Sequence, residues 1–260
     1  MTQRLRIRTA PWVAAVIVVL LWYLVIVLGG LDAFVLPTPA AVAGRLASDL
    51  TGPVIWPYLG LTVIESLGGC LVGAVTALPL AVVIHRSRWF AAAVNPFLGA
   101  TQAIPAVALA PLLVLWVGYG WWPVVLLCAL LVFFPILVAT VVGLRHVPRG
   151  PVDAALVDGA GPWALLTHIE LPLALPSILG GLRNGFALSV TGAVVGELVM
   201  GGQGLGALLT LQRDAVDTAG MFSTIAILCL LASSLYSLIL LVERRSAVMD
   251  ALTTNERIPT

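Results

Sequence analysis

Six stretches of this 260-residue chain are each long and apolar enough to cross a lipid bilayer as a helix, which leaves few folds open. A hydrocarbon core of about 30 Å takes about 20 helical residues at about 1.5 Å each. The stretches run near 12–30, 59–84, 96–117, 122–144, 176–199 and 219–242. Charged residues make up 10% of the chain, against about 25% in a soluble domain. Lipid is therefore the expected solvent. The expected fold is an all-α membrane protein with six transmembrane helices and extra helices in the connection between the fourth and fifth. The division is an N-terminal segment 1–10, a membrane domain 11–245 and a tail 246–260.

Orientation follows from the arginines, because positive charge collects on the cytoplasmic side of short connections. With the N-terminus inside, eleven arginines fall on the inner side and only Arg45 and Arg213 on the outer. Both termini are then expected in the cytoplasm. Arg4, Arg6 and Arg8 resemble the basic start of a signal peptide, but the apolar run after them continues for a full span without a convincing cleavage pattern.

The chain has no lysine, so a GxxxxGK[ST] phosphate loop is impossible. If ATP drives this protein, another chain binds it. A net charge of +1 points to no nucleic-acid partner. Cys70, Cys128 and Cys229 lie far apart in apolar runs and read as packing. His85, His146 and His168 have no metal-ligand spacing and read as surface residues; no metal site is expected.

Along the chain, Thr38 and Pro39 form a helix start, and Ala40 to Leu50 read as a short helix on the outer surface. The second span carries Glu65 among the small residues Gly68, Gly69, Gly73, Ala74 and Ala77, which allow close helix approach. Glu65 lies within about two turns of the outer boundary, where it either reaches water or faces a pathway. Pro105 and Pro111 are expected to kink the third span, which then lines a pathway or simply packs. Trp116, Tyr119, Trp121 and Trp122 form an aromatic belt. Glu197, near the outer end of the fifth span, is a second carboxylate unsuited to lipid. The glycines at 201, 202, 204 and 206 form a close outer turn; without a preceding strand they are no dinucleotide loop. In the sixth span Ser233, Ser234, Tyr236 and Ser237 are expected to hold helices together.

The inner connection 148–172 is the most informative stretch. Pro148 and Pro151 end one helix and start another, with Asp153 in its first turn. Ala154 and Ala155 leave a thin face, and Gly159, Gly161 and Pro162 break the helix. Trp163 to His168 can form a second short segment, and Pro172 and Pro176 start the fifth span. Composition alone allows an ordinary amphipathic loop or a rigid docking elbow.

Asp153-Ala154-Ala155, Asp158-Gly159 and Ile169-x-Leu171-Pro172 resemble the "EAA" signature of the permease subunits of bacterial ABC importers, E-A-A-x3-G-x9-I-x-L-P. The spacing matches, with Asp153 where the family usually has Glu. Leu36 to Val42, Ile104-Pro105 through Gly120, Phe133-Phe134-Pro135 and Gly196-Glu197 through Gly206 resemble its nitrate/sulfonate/taurine branch. That branch includes permeases for thiamine-precursor pyrimidines and riboflavin. Glu65 and the Glu243-Arg244-Arg245 end lean toward the pyrimidine type.

The resemblance implies a multi-pass subunit of the bacterial inner (plasma) membrane, without an ATPase site of its own. It also implies a homodimer, two cytoplasmic ATP-binding subunits docked on the coupling helices of the inner elbow, and an extracytoplasmic solute-binding protein. ATP and magnesium would sit at the partner ATPase, and this chain would bind no cofactor. Asp153, Ala154, Ala155, Asp158, Gly159, Ile169, Leu171 and Pro172 would couple to the ATPase; Glu65, Pro105, Pro111 and Glu197 are pathway candidates. Rival readings are a gradient-driven secondary transporter, which would prefer more ionisable groups deep in the bilayer, and a membrane scaffold. The absence of a catalytic cluster makes an enzyme the weakest reading.

Overall fold

The apolar stretches fold as helices whose greasy faces point outward. The computed structural model describes residues 2–30, 32, 34–102 and 105–245; Ile104 and the tail 246–260 lie outside the described residues. Helices α1 (Thr2–Gly29), α2 (Pro39–Thr51), α3 (Ile55–Arg86) and α4 (Arg88–Gln102) come first. A 3₁₀ turn (Ala106–Leu109), α5 (Ala110–Val117), α6 (Trp121–Arg145), α7 (Arg149–Val157) and α8 (Pro162–Leu165) follow. A π turn (Leu166–Glu170) then leads into α9 (Leu171–Met200), and α10 (Leu205–Asp214) and α11 (Thr218–Arg245) complete the described chain.

Four helical rods among the described residues are long and apolar enough to span a bilayer: α3, α6, the continuous rod Pro162–Met200, and Thr218–Leu241. The segments Val16–Gly29 and Ala106–Val117 are shorter apolar helices. Leu71, Val75 and Leu115 are exposed, whereas Thr62, Ser66, Thr140 and Ser189 are buried. Polar groups inside and apolar side chains outside is the arrangement lipid demands, since a buried hydroxyl finds partners that hydrocarbon cannot offer.

The core is α6, packed between α3 and α9. Close approach depends on missing side chains. A Cβ on Gly69 would fall 2.9 Å from the Val125 carbonyl oxygen, and one on Gly73 3.0 Å from that of Ala129. The expected small-residue face of the second span is therefore the α3–α6 contact. Helix α2 starts as its sequence indicates, with Thr38 Oγ1 accepting from the Ala41 amide at 3.2 Å.

Several expectations are corrected. The third span is interrupted at Pro105 and not merely bent, since that residue is extended (φ −68°, ψ 98°) ahead of the 3₁₀ turn. Pro111 sits in the first turn of α5, where its missing N–H has no intrahelical partner to lose. Helix α9 starts at Leu171 with Pro172 in its first turn, as expected, but Pro176 lies inside it, and the π turn and α8 extend the rod back to Pro162. Helix α7 starts at Arg149, so Asp153 lies beyond its first turn. Ser233, Ser234 and Ser237 are exposed; the tying hydroxyls of α11 are instead Ser223, which donates to Asp49 at 2.6 Å, and Thr224, which donates to Gln212 at 2.9 Å. Cys70 and Cys128 are buried, but Cys229 is exposed.

Candidate functional site

Two polar sites occupy opposite ends of the bundle. At one end, α3 brings Glu65 against Glu197 of α9, with Cys128 of α6 alongside. Both carboxylates are 1% exposed. Glu197 accepts from the Thr62 hydroxyl at 2.7 Å and from the Gly206 amide. Thr62 Oγ1 in turn accepts from the Leu205 amide at 2.8 Å. Among the described residues neither oxygen of Glu65 has a hydrogen-bond partner.

This carboxylate explains the glycine run. A Cβ on Gly204 would strike the Glu197 carboxyl and the Thr62 hydroxyl, and one on Gly206 the Val194 carbonyl and the Glu197 side chain. The loop wraps Glu197 at van der Waals distance, and only glycine fits there. Beside it lies a cavity of about 670 Å³, lined by Tyr58, Glu197, Gly202 and Gln203. Beyond the loop, Arg45 of α2 pairs with Asp49 at 2.9 Å and Asp217 at 2.8 Å. The Asp49 hydrogen bond, then the charges of the two aspartates, raise the Arg45 pKa against partial burial.

At the other end, α7 and α8 form an elbow. Asp153, Ala154, Asp158 and Gly159 are exposed, and Ala155, Ile169, Leu171 and Pro172 half-buried. Gly159 turns the chain with φ +81°, a left-handed conformation that follows the Asp158 cap. Leu156, Val157 and Trp163 project from the elbow at 53%, 88% and 74% exposure. Helix α7 packs on α8 and the π turn.

The elbow is fastened to the last turn of α3. Glu170, whose side chain is only 8% exposed, lies 2.9 Å from Arg86 Nη2 and 3.4 Å from His85 Nε2. The same arginine nitrogen donates to the Pro162 carbonyl at 2.8 Å. His85 is thus an elbow contact, contrary to the surface reading, while His146 and His168 are exposed. Nearby, Arg183 of α9 pairs with Glu243 of α11 at 3.0 Å and lies 5.0 Å from the Tyr236 ring centroid.

The structure therefore brings Glu65 to Glu197 and gathers the inner-loop residues into one elbow. Pro105 and Pro111 belong to neither cluster: they flank the 3₁₀ turn, whose Ala106 and Leu109 line a cavity of about 720 Å³ with Phe134, Ser177 and Asn184. Thr62, Arg86 and Glu170 are functional candidates that sequence reasoning missed. A charge inside the Ile-x-Leu-Pro segment was the available signal for Glu170.

The profile of the family described as "Binding-protein-dependent transport system inner membrane component" matches residues 69–248. The chain belongs to this family. It is 44% identical over 232 residues to the riboflavin transport system permease protein RibX of Chloroflexus aurantiacus, covering 89% of this chain and 87% of the relative. It is 35% identical over 198 residues to the formylaminopyrimidine transport permease protein ThiX of Halalkalibacterium halodurans, with 76% and 79% covered. The putative aliphatic sulfonates permease SsuC of Escherichia coli is 30% identical over 212 residues, with 82% and 81% covered. Among solved structures, an inward-facing form of the MetNI methionine ABC transporter superposes with TM-score 0.68 at 18% identity, covering 75% of this chain and 96% of that one. That likeness extends to the fold. The chain is thus a membrane permease component of an ABC transport system, and the branch named from its motifs holds.

Proposed function

We propose that this chain is the spanning subunit of an ATP-driven importer for a heterocyclic vitamin or its pyrimidine precursor, with riboflavin the first candidate. The elbow carries the proposal. A segment matching the coupling signature folds as two short helices that expose Val157 and Trp163, apolar side chains suited to a groove on a partner. The 44% identity to a riboflavin permease supports the substrate class over the sulfonate alternative at 30%.

In this reading the chain crosses the membrane six times with both termini in the cytoplasm, as the arginine distribution favours. Two copies pair, two ATPase subunits dock on the elbows, and a solute-binding protein meets the opposite face. ATP and magnesium stay with the ATPase, since a lysine-free chain has no phosphate loop. Solute passes along the face that bears Phe134, Ser177 and Asn184, with Pro105 and Pro111 holding the broken span beside it. Glu197 borders the outer cavity, and Glu65 acts through Glu197.

Uptake of radiolabelled riboflavin into cells expressing the chain with its ATPase and binding protein tests the reading. Uptake abolished by inactivating the ATPase supports it. Equal uptake without the ATPase, driven by an ion gradient, refutes it; taurine uptake in place of riboflavin shifts the substrate to the sulfonate branch.

A further inference from the structure

Residues 162–170 form a short rod, one α-helical turn and a π turn, that runs without a break into α9. One guanidinium holds this rod at both ends. Arg86 Nη2 reaches the Pro162 carbonyl at 2.8 Å and the Glu170 carboxylate at 2.9 Å, eight residues further on. Arg86 ends α3, where the helix dipole favours a cation. Glu170 is buried, so water does not replace a lost partner. Helix α7 packs on this rod, so a displacement of α7 is delivered to it.

We infer that Arg86 and Glu170 are positioning residues for energy coupling, their ion pair carrying elbow movement into α3. Helix α3 is continuous from Ile55 to Arg86. Thr62, which holds Glu197 and Leu205 of the glycine-loop end, lies about 36 Å along it from Arg86 at about 1.5 Å per residue. The mechanical route therefore runs through α3, whose Arg86 lies 76 residues before Pro162 in the chain, not only through α6 and α9, to which the elbow is covalently joined. The inference rests on the reading of the elbow as the ATPase docking point.

The test follows the far end of α3. A cysteine is placed by Gly60→Cys, where a Cβ meets nothing within 4 Å, and the exposed Cys229 is replaced by serine. A bimane fluorophore on that cysteine reports movement when ATP and vanadate are added to the complex of the full chain with its ATPase. The parent should show a nucleotide-dependent emission change. Arg86→Glu and Glu170→Arg should each cut it roughly fivefold or more, with the ATPase still co-purifying, and the double swap, which restores the charge pair but not the donor to the Pro162 carbonyl, should restore part of it. Arg86→Gln, which keeps a donor for Pro162 but not the charge, should also cut the change and serves where a swapped single fails to fold. A parental change in Arg86→Gln, failure of the double swap to restore, or no nucleotide-dependent change in the parent overturns the inference while leaving docking intact. Failure of the parent to retain the ATPase removes the docking reading, and the inference with it.

Discussion

Thr62 and Glu197 stand 135 residues apart in the chain, yet the hydroxyl donates to the carboxylate at 2.7 Å in a site where neither is more than 1% exposed. The same hydroxyl accepts from the Leu205 amide. One small side chain therefore joins α3, α9 and the start of α10.

Thr62→Val keeps the shape and removes both bonds. It leaves the Leu205 amide and one Glu197 oxygen unpaired, so it should cost about 2–6 kcal/mol, each buried orphan contributing about 1–3 kcal/mol. Thr62→Ser keeps the hydroxyl and should cost far less. Thermal melting of the two purified variants in one detergent checks the difference.

Gly204→Ala and Gly206→Ala drive a methyl into Glu197 and its neighbours and should each destabilise by about 1–3 kcal/mol. Gly44→Ala is the contrast. Within α2 its Cβ meets nothing, so the gain is the helix preference of alanine, about 0.5–1 kcal/mol. Opposite signs in the melting shift are the expected outcome.

The carboxylates should differ. Glu197→Gln keeps one acceptor oxygen where Glu197 uses two, and should lower stability by about 1–3 kcal/mol. Glu65 accepts from no donor among the described residues and lies against Glu197, so Glu65→Gln breaks no accepted bond and sets an amide donor beside that carboxyl. Its melting temperature should equal or exceed the parent's, and a large drop would show that Glu65 has a partner.

At the elbow, Gly159 has φ +81° with open space around a would-be Cβ. The cost of Gly159→Ala is then conformational, about 1–2 kcal/mol, and asparagine should be tolerated better. Gly159→Trp should leave membrane insertion intact and uncouple uptake. Uptake and ATPase co-purification measured together separate these outcomes.

Much was legible because it is local. Thr38-Pro39 reads as a helix start since cap and ring act within one turn. Gly159 reads as a bend for a similar reason. Pro105 reads from sequence as a kink, because a proline removes a hydrogen bond either way and only the packing of the 3₁₀ turn against α6 selects an interruption. The glycines at 204 and 206 read as a close turn but not as a cradle, since the carboxylate they enclose lies on another element.

The sequence by itself determined an apolar, helical chain with a proline- and glycine-punctuated elbow, because hydropathy and backbone restrictions act over a few neighbouring residues. Only the tertiary structure decided that Glu65 meets Glu197, that Thr62 closes the glycine loop, and that Arg86 clasps Glu170. Those contacts depend on the rotation and depth at which helices pack, and spacing along a chain contains neither.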